Sequence, residues 1–161
     1  VAWVDEYDQL LGSLPRAELR ARGLIGRGTF VFLFNPAGEL CIHQRTLSKA
    51  IYPGYWDVAA GGMVQAGESY AESAARELAE ELGIAGVTLH EHGCFLFEQV
   101  DNRLWCAVFC AQSAAPFWLQ PEDVLPARFV LLDAVLPLAA PHAFCPDSLR
   151  ALHYYLDGLP G

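Results

Sequence analysis

Apolar residues recur along the chain at two periods, and the change of period separates strands from helices. Residues 1–11 mix apolar and acidic side chains in a way that suits a short strand. Residues 15–22 predict a short helix opened by Pro15 and closed by Gly23. A β-branched and aromatic run at 29–34, turn chemistry at Asn35-Pro36-Ala37-Gly38 and a second apolar run at 40–43 predict a hairpin. Further strands are predicted at 56–60 and 63–64, with Ala59-Ala60-Gly61-Gly62 as a small-residue loop that lets backbone approach a ligand. Residues 69–82 turn helical, rich in Ala, Glu, Leu and Arg, with Gly83 placed to cap them. Strands follow at 87–89, 94–98, 104–111 and 128–132, then a last helix over 147–156 with Asp147 as its cap. Strands with interspersed helices, without regular βαβ alternation, imply a mixed β-sheet covered by helices.

The helix over 69–82 carries the candidate chemistry. At about 100° per residue, Glu77, Glu80 and Glu81 share one face, while Ala71, Ala74, Ala75, Leu78 and Leu82 form a separate packing arc. Arg76 stands four residues before Glu80 and can pair with it. Like charges at this spacing repel, so the face needs a cation or full solvation, and hard oxygen donors suit Mg²⁺ or Mn²⁺.

Composition narrows the partners. The 161 residues make one domain the simplest organisation, and 53% hydrophobic content is ample for a core. Ten basic against nineteen acidic residues give a net charge of −9, which offers no footprint for nucleic acid polymers or an anionic membrane. Mean hydropathy is +0.23, and the longest uncharged run, 104–121, is broken by polar residues and does not suit a membrane span. Five cysteines without C-x-x-C spacing read as reduced thiols, and no secretory leader precedes the first strand, so a cytoplasmic setting is expected. His90 and His92 would face the same way on a strand, but lack a companion ligand and are expected to be structural. Tyr55 and Trp56 suit the core better than a base-stacking role.

Residues 62–84 read Gly62, five residues, Glu68, seven residues, Arg76-Glu77-Leu78, Ala79, Glu80-Glu81, Leu82, Gly83-Ile84. The pattern resembles, without mismatch, the Nudix hydrolase signature G-x5-E-x7-R-E-U-x-E-E-x-G-U with U aliphatic. Chance would produce it in this chain with odds on the order of 10⁻⁷. The resemblance implies an α/β/α sandwich and a metal-dependent pyrophosphohydrolase, acting on a small-molecule diphosphate such as a nucleoside diphosphate or its derivative. It implies Glu77 and Glu81 as metal ligands, with Glu80 and the Gly62 carbonyl as further ligands. Arg76 would orient the carboxylates, and Glu68 would bind a further metal or support the site. The general base is left open among Glu81, Glu98, Glu122 and Asp123, the last two in a segment (119–124) that resembles an acidic loop of relatives. On this reading the chain is a single domain with an N-terminal extension over 1–27 and a core over 28–161. Dimerisation is compatible with the family, and no sequence feature decides it.

A second resemblance, to isopentenyl-diphosphate isomerases of the same fold, rests on residues 33–40, Arg45, Ser48-Lys49, residues 53–57 and the closing segment 144–149. It suggests Arg45 and Lys49 as clamps for substrate phosphates. The isomerase's catalytic cysteine position is Ala60 here, its histidine positions are Gly62 and Gly26, and its acidic positions are Asn102 and Leu104. Alanine cannot move a proton to or from carbon, so the expectation is a hydrolase of an isomerase-like subgroup. The alternatives are a non-catalytic nucleotide sensor of this fold and, behind it, an isomerase.

Overall fold

The computed structural model describes residues 1–114, 124–139 and 143–159. Its centre is β3 (Gly26–Phe34), nine residues with a nearly continuous apolar run, as a strand covered on both faces requires. On one edge β3 pairs in parallel with β8 (Asn102–Gln112), and β8 pairs antiparallel with β7 (His90–Gln99). The other edge is shared. The start of β3 pairs antiparallel with β6 (Ala60–Met63), and its last residue, Phe34, pairs with Leu40 at the start of β4 (Leu40–Arg45). β4 in turn carries β5 (Trp56–Asp57) and β9 (Val124–Val130). One parallel pairing among antiparallel ones makes the expected mixed sheet.

Alternation along the strands sends side chains to two separate cores. Val31 and Leu33 of β3 and Phe109 of β8 pack with Ala74, Leu78 and Leu82 of α2 (Tyr70–Leu82). Phe30 and Phe32, with Val108, pack on the opposite face with Leu19 of α1 (Arg16–Ala21), Val135 of α3 (Leu132–Ala139) and Leu152 of α4 (Pro146–Asp157). Helices therefore cover both faces of the sheet, as the α/β/α expectation required.

α2 is defined at both ends by its own sequence. Ser69 and Glu72 form a reciprocal capping box, and Gly83 closes the helix in the left-handed region at φ 68°. The N-terminal segment is a hairpin of two strands, β1 (Ala2–Val4) and β2 (Leu10–Ser13), where one strand was expected. It is tied to the core through Asp8, which accepts from Arg27 Nε at 2.7 Å and from the Tyr70 hydroxyl at 2.9 Å.

Several expectations are corrected. The strand expected at 56–60 ends at Asp57, because the Asp57 carboxylate accepts the Ala59 amide and turns the chain. The small residues 60–63, expected partly as loop, form β6. A Cβ on Gly61 would lie 1.8 Å from the Thr29 carbonyl oxygen, so the pairing with β3 demands glycine there. Residues 87–89 are not a strand, and β7 begins at His90. β9 stops at Val130, and Leu132 opens α3, a helix that Pro137 concealed from the pattern. α4 begins at Pro146 with Cys145 as N-cap, and Asp147 lies in its first turn. On α2, Ala71 and Ala75 are exposed, and the buried face includes Ser73 and Glu81 instead.

Leu78 is 1% exposed between α2 and the sheet, so Leu78→Ala should lose about 2–5 kcal/mol of unfolding free energy in a denaturant titration. Ser69→Ala should lose only about 1 kcal/mol, the capping contribution.

Candidate functional site

The acidic face of α2 is organised by one guanidinium. Arg76 donates to Glu68 through Nε (2.7 Å) and Nη2 (3.0 Å), and to Glu77 through Nη1 (2.8 Å). The same Nη1 reaches Glu80 at 3.3 Å, and Nη2 reaches the Met63 carbonyl at 3.4 Å. One side chain thus joins the loop before α2, two glutamates of the helix and the end of β6. The bidentate bond holds the Glu68 carboxyl below its ordinary range and raises Arg76 above its own.

Gly62 brings β6 against this helix. A Cβ there would meet Glu77 Oε1 at 2.6 Å, so the absence of a side chain is what lets the Glu77 carboxylate lie on the strand. Glu77 is raised by burial, against the opposing pull of Arg76. Glu80 is exposed.

Glu81 points elsewhere. It is buried beside β4, with Oε2 3.5 Å from His43 Nε2, and burial together with the charges of Asp57 and Glu77 raises it well above the carboxylate range. His43 is held below its ordinary value by burial, and its Nδ1 is the one buried side-chain polar atom without a partner among the described residues. Sequence reasoning missed His43, because the histidine meets Glu81 only when β4 and α2 stack.

The sheet edge beside Gly61 and Gly62 opens into a cavity walled by Arg20 of α1, Arg45 and Tyr52 from the 45–55 segment, Asp57, Asn102 of β8 and Asp147 of α4. Arg45 lines it but donates twice to the Ile51 carbonyl and lies 3.8 Å from Asp57. Lys49 is part of the adjoining loop and acts on both His43 and Glu81. Glu98 is exposed on β7 and paired with Arg103 at 3.5 Å. Glu122 and Asp123 lie outside the described residues. His90 and His92 straddle an irregularity of β7, and His92 lies 3.0 Å from the Cys110 sulfur. Trp56 stacks on Phe144. All five cysteines are free, and burial pushes Cys41 up to about 12.

As it stands, no group of three carboxylate, imidazole or thiol side chains among the described residues sits close enough to hold a metal ion. The donor set nevertheless fits a hard cation. Glu77 is a half-buried and Glu81 a buried oxygen donor, Glu81 has the like charges of Asp57 and Glu77 beside it, and Gly62 lies against the Glu77 carboxylate.

Asp147 is pushed up to about 6 by burial and by the charge of Asp57. A carboxyl that binds its proton more tightly when folded stabilises the fold at acid pH, and the contribution fades as pH rises through about 6. The melting temperature of the wild-type chain, measured against Asp147→Asn, should therefore fall between about pH 4 and 6 and then level off. Parallel melting curves across that range would refute the burial effect.

Comparison with known proteins agrees with the geometry. The NUDIX domain family model matches residues 24–151. An uncharacterized Nudix hydrolase of Pseudomonas aeruginosa is 66% identical over 157 residues, spanning 98% of this chain and 93% of that protein. YfcD of Escherichia coli K12, also named an uncharacterized Nudix hydrolase, is 39% identical over 157 residues, 96% of this chain and 86% of YfcD. A crystal structure from Deinococcus radiodurans superposes with TM-score 0.82 at 28% identity, covering 96% of this chain and 98% of that one. The Nudix domain of Shewanella oneidensis NrtR, crystallised with ADP-ribose, shares the fold at TM-score 0.67 and 18% identity, over 91% of this chain and all of that domain.

Proposed function

We propose that this chain, which belongs to the Nudix domain family, is a divalent-metal-dependent hydrolase of the diphosphate linkage in a nucleoside diphosphate or a derivative of one. Family membership makes it a pyrophosphohydrolase. The proposal adds the metal, the substrate class and the residues. The observation that carries it is the seating of Glu77 on the glycine strand by Arg76, with Glu81 buried beside it and short of positive charge.

Glu77, Glu81 and the Gly62 carbonyl would hold Mg²⁺ or Mn²⁺, with Glu80 a further ligand from the solvent side. A cation there neutralises the diphosphate oxygens and positions the attacking water. The chain's own residues do the rest. Arg76 fixes Glu77 and draws Glu68 to the same point, so the carboxylates are in place before substrate arrives. Arg45 lines the cavity where the phosphates would enter, and Lys49 lies on the adjoining loop with its charge acting on Glu81. Hydrolysis joins a water oxygen to phosphorus and breaks a bridging P–O bond, and the water's proton needs an acceptor. Of the candidate bases described, Glu81 lies beside Glu77, and Glu98 is exposed on β7 and paired with Arg103. We assign the role to Glu81, against Glu122 or Asp123 in the acidic segment.

The isomerase-like subgroup remains part of this reading for the flanking segments, but the isomerase reaction does not. Ala60 offers no acid or base, and the space of an imidazole at Gly26 is taken by Met63 Cε, 2.7 Å from the position of a Cβ. Every carboxylate of the motif is retained, which favours turnover over a sensor role. We further take the chain to act as one domain in a cytoplasmic setting, in keeping with its five free cysteines and with the hairpin tied to β3 and α2.

Phosphate or nucleotide release from a panel of nucleoside diphosphate derivatives should occur in Mg²⁺ and vanish in EDTA. Glu77→Gln and Glu81→Gln should abolish release with little change in melting temperature, and wild-type rates in both would overturn the metal assignment. Glu122→Gln and Asp123→Asn should leave the rate unchanged. A fall in rate without weaker Mg²⁺ binding would move the base to that segment.

A further inference from the structure

Opposite charges face the cavity without meeting. Arg20, half-buried on α1, has as its one side-chain hydrogen-bond partner the Met63 thioether at 3.8 Å, a weak acceptor. No carboxylate lies within ion-pair distance of it among the described residues. Arg16 and Arg45 are near enough to disfavour its charge, and Asp147 near enough to favour it. Asp147 also lines the cavity and has no cationic partner in ion-pair range among the described residues.

The Asp147 carboxylate is held still by a chain of hydrogen bonds. Asn102 Nδ2 donates to Asp147 Oδ2 at 3.0 Å and to the Tyr52 hydroxyl at 3.1 Å, Tyr52 donates to Gln99 at 2.8 Å, and the Ser148 amide donates to Asp147 Oδ1 at 2.8 Å. Each carboxylate oxygen keeps a lone pair after these bonds, so the group can accept from a ligand. Tyr52 adopts φ +52°, an uncommon conformation for a side chain of its size, and so marks a segment held in place at the cavity wall.

A guanidinium and a carboxylate left apart across one cavity are each poorly solvated, and a ligand spanning them would satisfy both. We propose that Arg20 and Asp147 are the specificity-determining residues of this protein, receiving the group attached to the diphosphate and requiring it to offer a hydrogen-bond acceptor to Arg20 and a donor to Asp147. The inference rests on the diphosphate reading above and goes beyond it by assigning selection to two residues outside the motif. The chemistry is that of a heteroaromatic base edge or of sugar hydroxyls. A hydrocarbon tail would bury both charges without partners and is rejected.

The test uses non-hydrolysable methylene-bridged diphosphates and titration calorimetry, with three probes: a nucleoside analogue, a base-free ribose analogue and an isopentenyl analogue. Wild-type chain should bind at least one polar probe about 100-fold more tightly than the isopentenyl one. Arg20→Met and Asp147→Asn should each weaken the polar probes about 10- to 100-fold without weakening the isopentenyl probe, so that the ratio collapses. A nucleoside probe bound more tightly than the ribose probe assigns the base edge, and equal binding assigns the sugar. Either supports the pair. In turnover of the parent esters the loss should fall on KM with kcat largely retained. Isopentenyl binding equal to the polar probes, or a ratio unmoved in both variants, overturns the proposal. Should one variant fail to fold, the other still decides. Because the probes are read by binding, absence of turnover on every parent ester would count against the hydrolase reading and leave this outcome separate.

Discussion

The close approach of a helix bearing three neighbouring glutamates to a backbone strand is the constraint on which the rest of the site depends. Carboxylates at such spacing repel one another and resist burial, and two of these three are buried or half-buried. The approach is held by Arg76, which binds Glu68, Glu77 and the Met63 carbonyl together, and it is allowed by Gly61 and Gly62. Without glycine at 61 the strand could not pair with Thr29, and without glycine at 62 the Glu77 carboxylate would be displaced from the strand. The remaining strain is electrostatic. It falls on Glu81, whose neighbours Asp57 and Glu77 carry the same charge and whose facing histidine is kept neutral by burial. Like charge concentrated in the interior in this way is what the proposed cation would relieve.

How much of this was legible in the sequence depended on how local each feature is. The helical run from residue 69, the stop at Gly83, the short helix between Pro15 and Gly23 and the turn at residues 35–38 are set by residues a few positions apart, and the structure has them close to where the pattern put them. The Arg76–Glu80 pair, one helical turn apart, forms as expected. The helical wheel placed Ala74, Leu78 and Leu82 of α2 in the core, where they are, but also put Ala71 and Ala75 there, because alanine carries too little apolar surface to decide orientation. Ser73 turns inward toward Thr29, with their hydroxyls 3.4 Å apart, and Glu81 follows it. Glu81 keeps the charge of Glu77 beside it, as the wheel had them, while its carboxylate also meets His43 of β4.

Contacts between distant segments left no trace in the pattern. His43 and Glu81 are brought together by the stacking of β4 and α2, and Asp147 reaches Asn102 across 45 residues. The strands over 56–63 were expected in the right region with the wrong boundaries. What breaks them is a side-chain to backbone bond from Asp57 to the Ala59 amide, which competes with the ladder in a manner propensity does not register. α3 was missed because a proline within eight residues outweighs the apolar content that packs Val135 into the core.

The arrangement separates two tasks within one acidic chain. Carboxylates crowd the glycine strand, whereas Arg20 and Arg45 line the cavity from other elements that enclose it. A net charge of −9 would repel the proposed diphosphate substrate at long range, so attraction would have to be local, and a cation held at the carboxylates would supply part of it. The motif on α2 can then stay the same whatever is attached to the diphosphate, since the groups that meet the attached moiety come from α1, β8 and α4. The short helix α1 thereby acquires a purpose that its place in an N-terminal extension did not suggest. Leu19 anchors it in the core, and Arg20, the next residue, is delivered to the cavity wall. Packing and recognition are thus coupled through adjacent positions of a six-residue helix, and a change that loosened Leu19 would move the charge beside it.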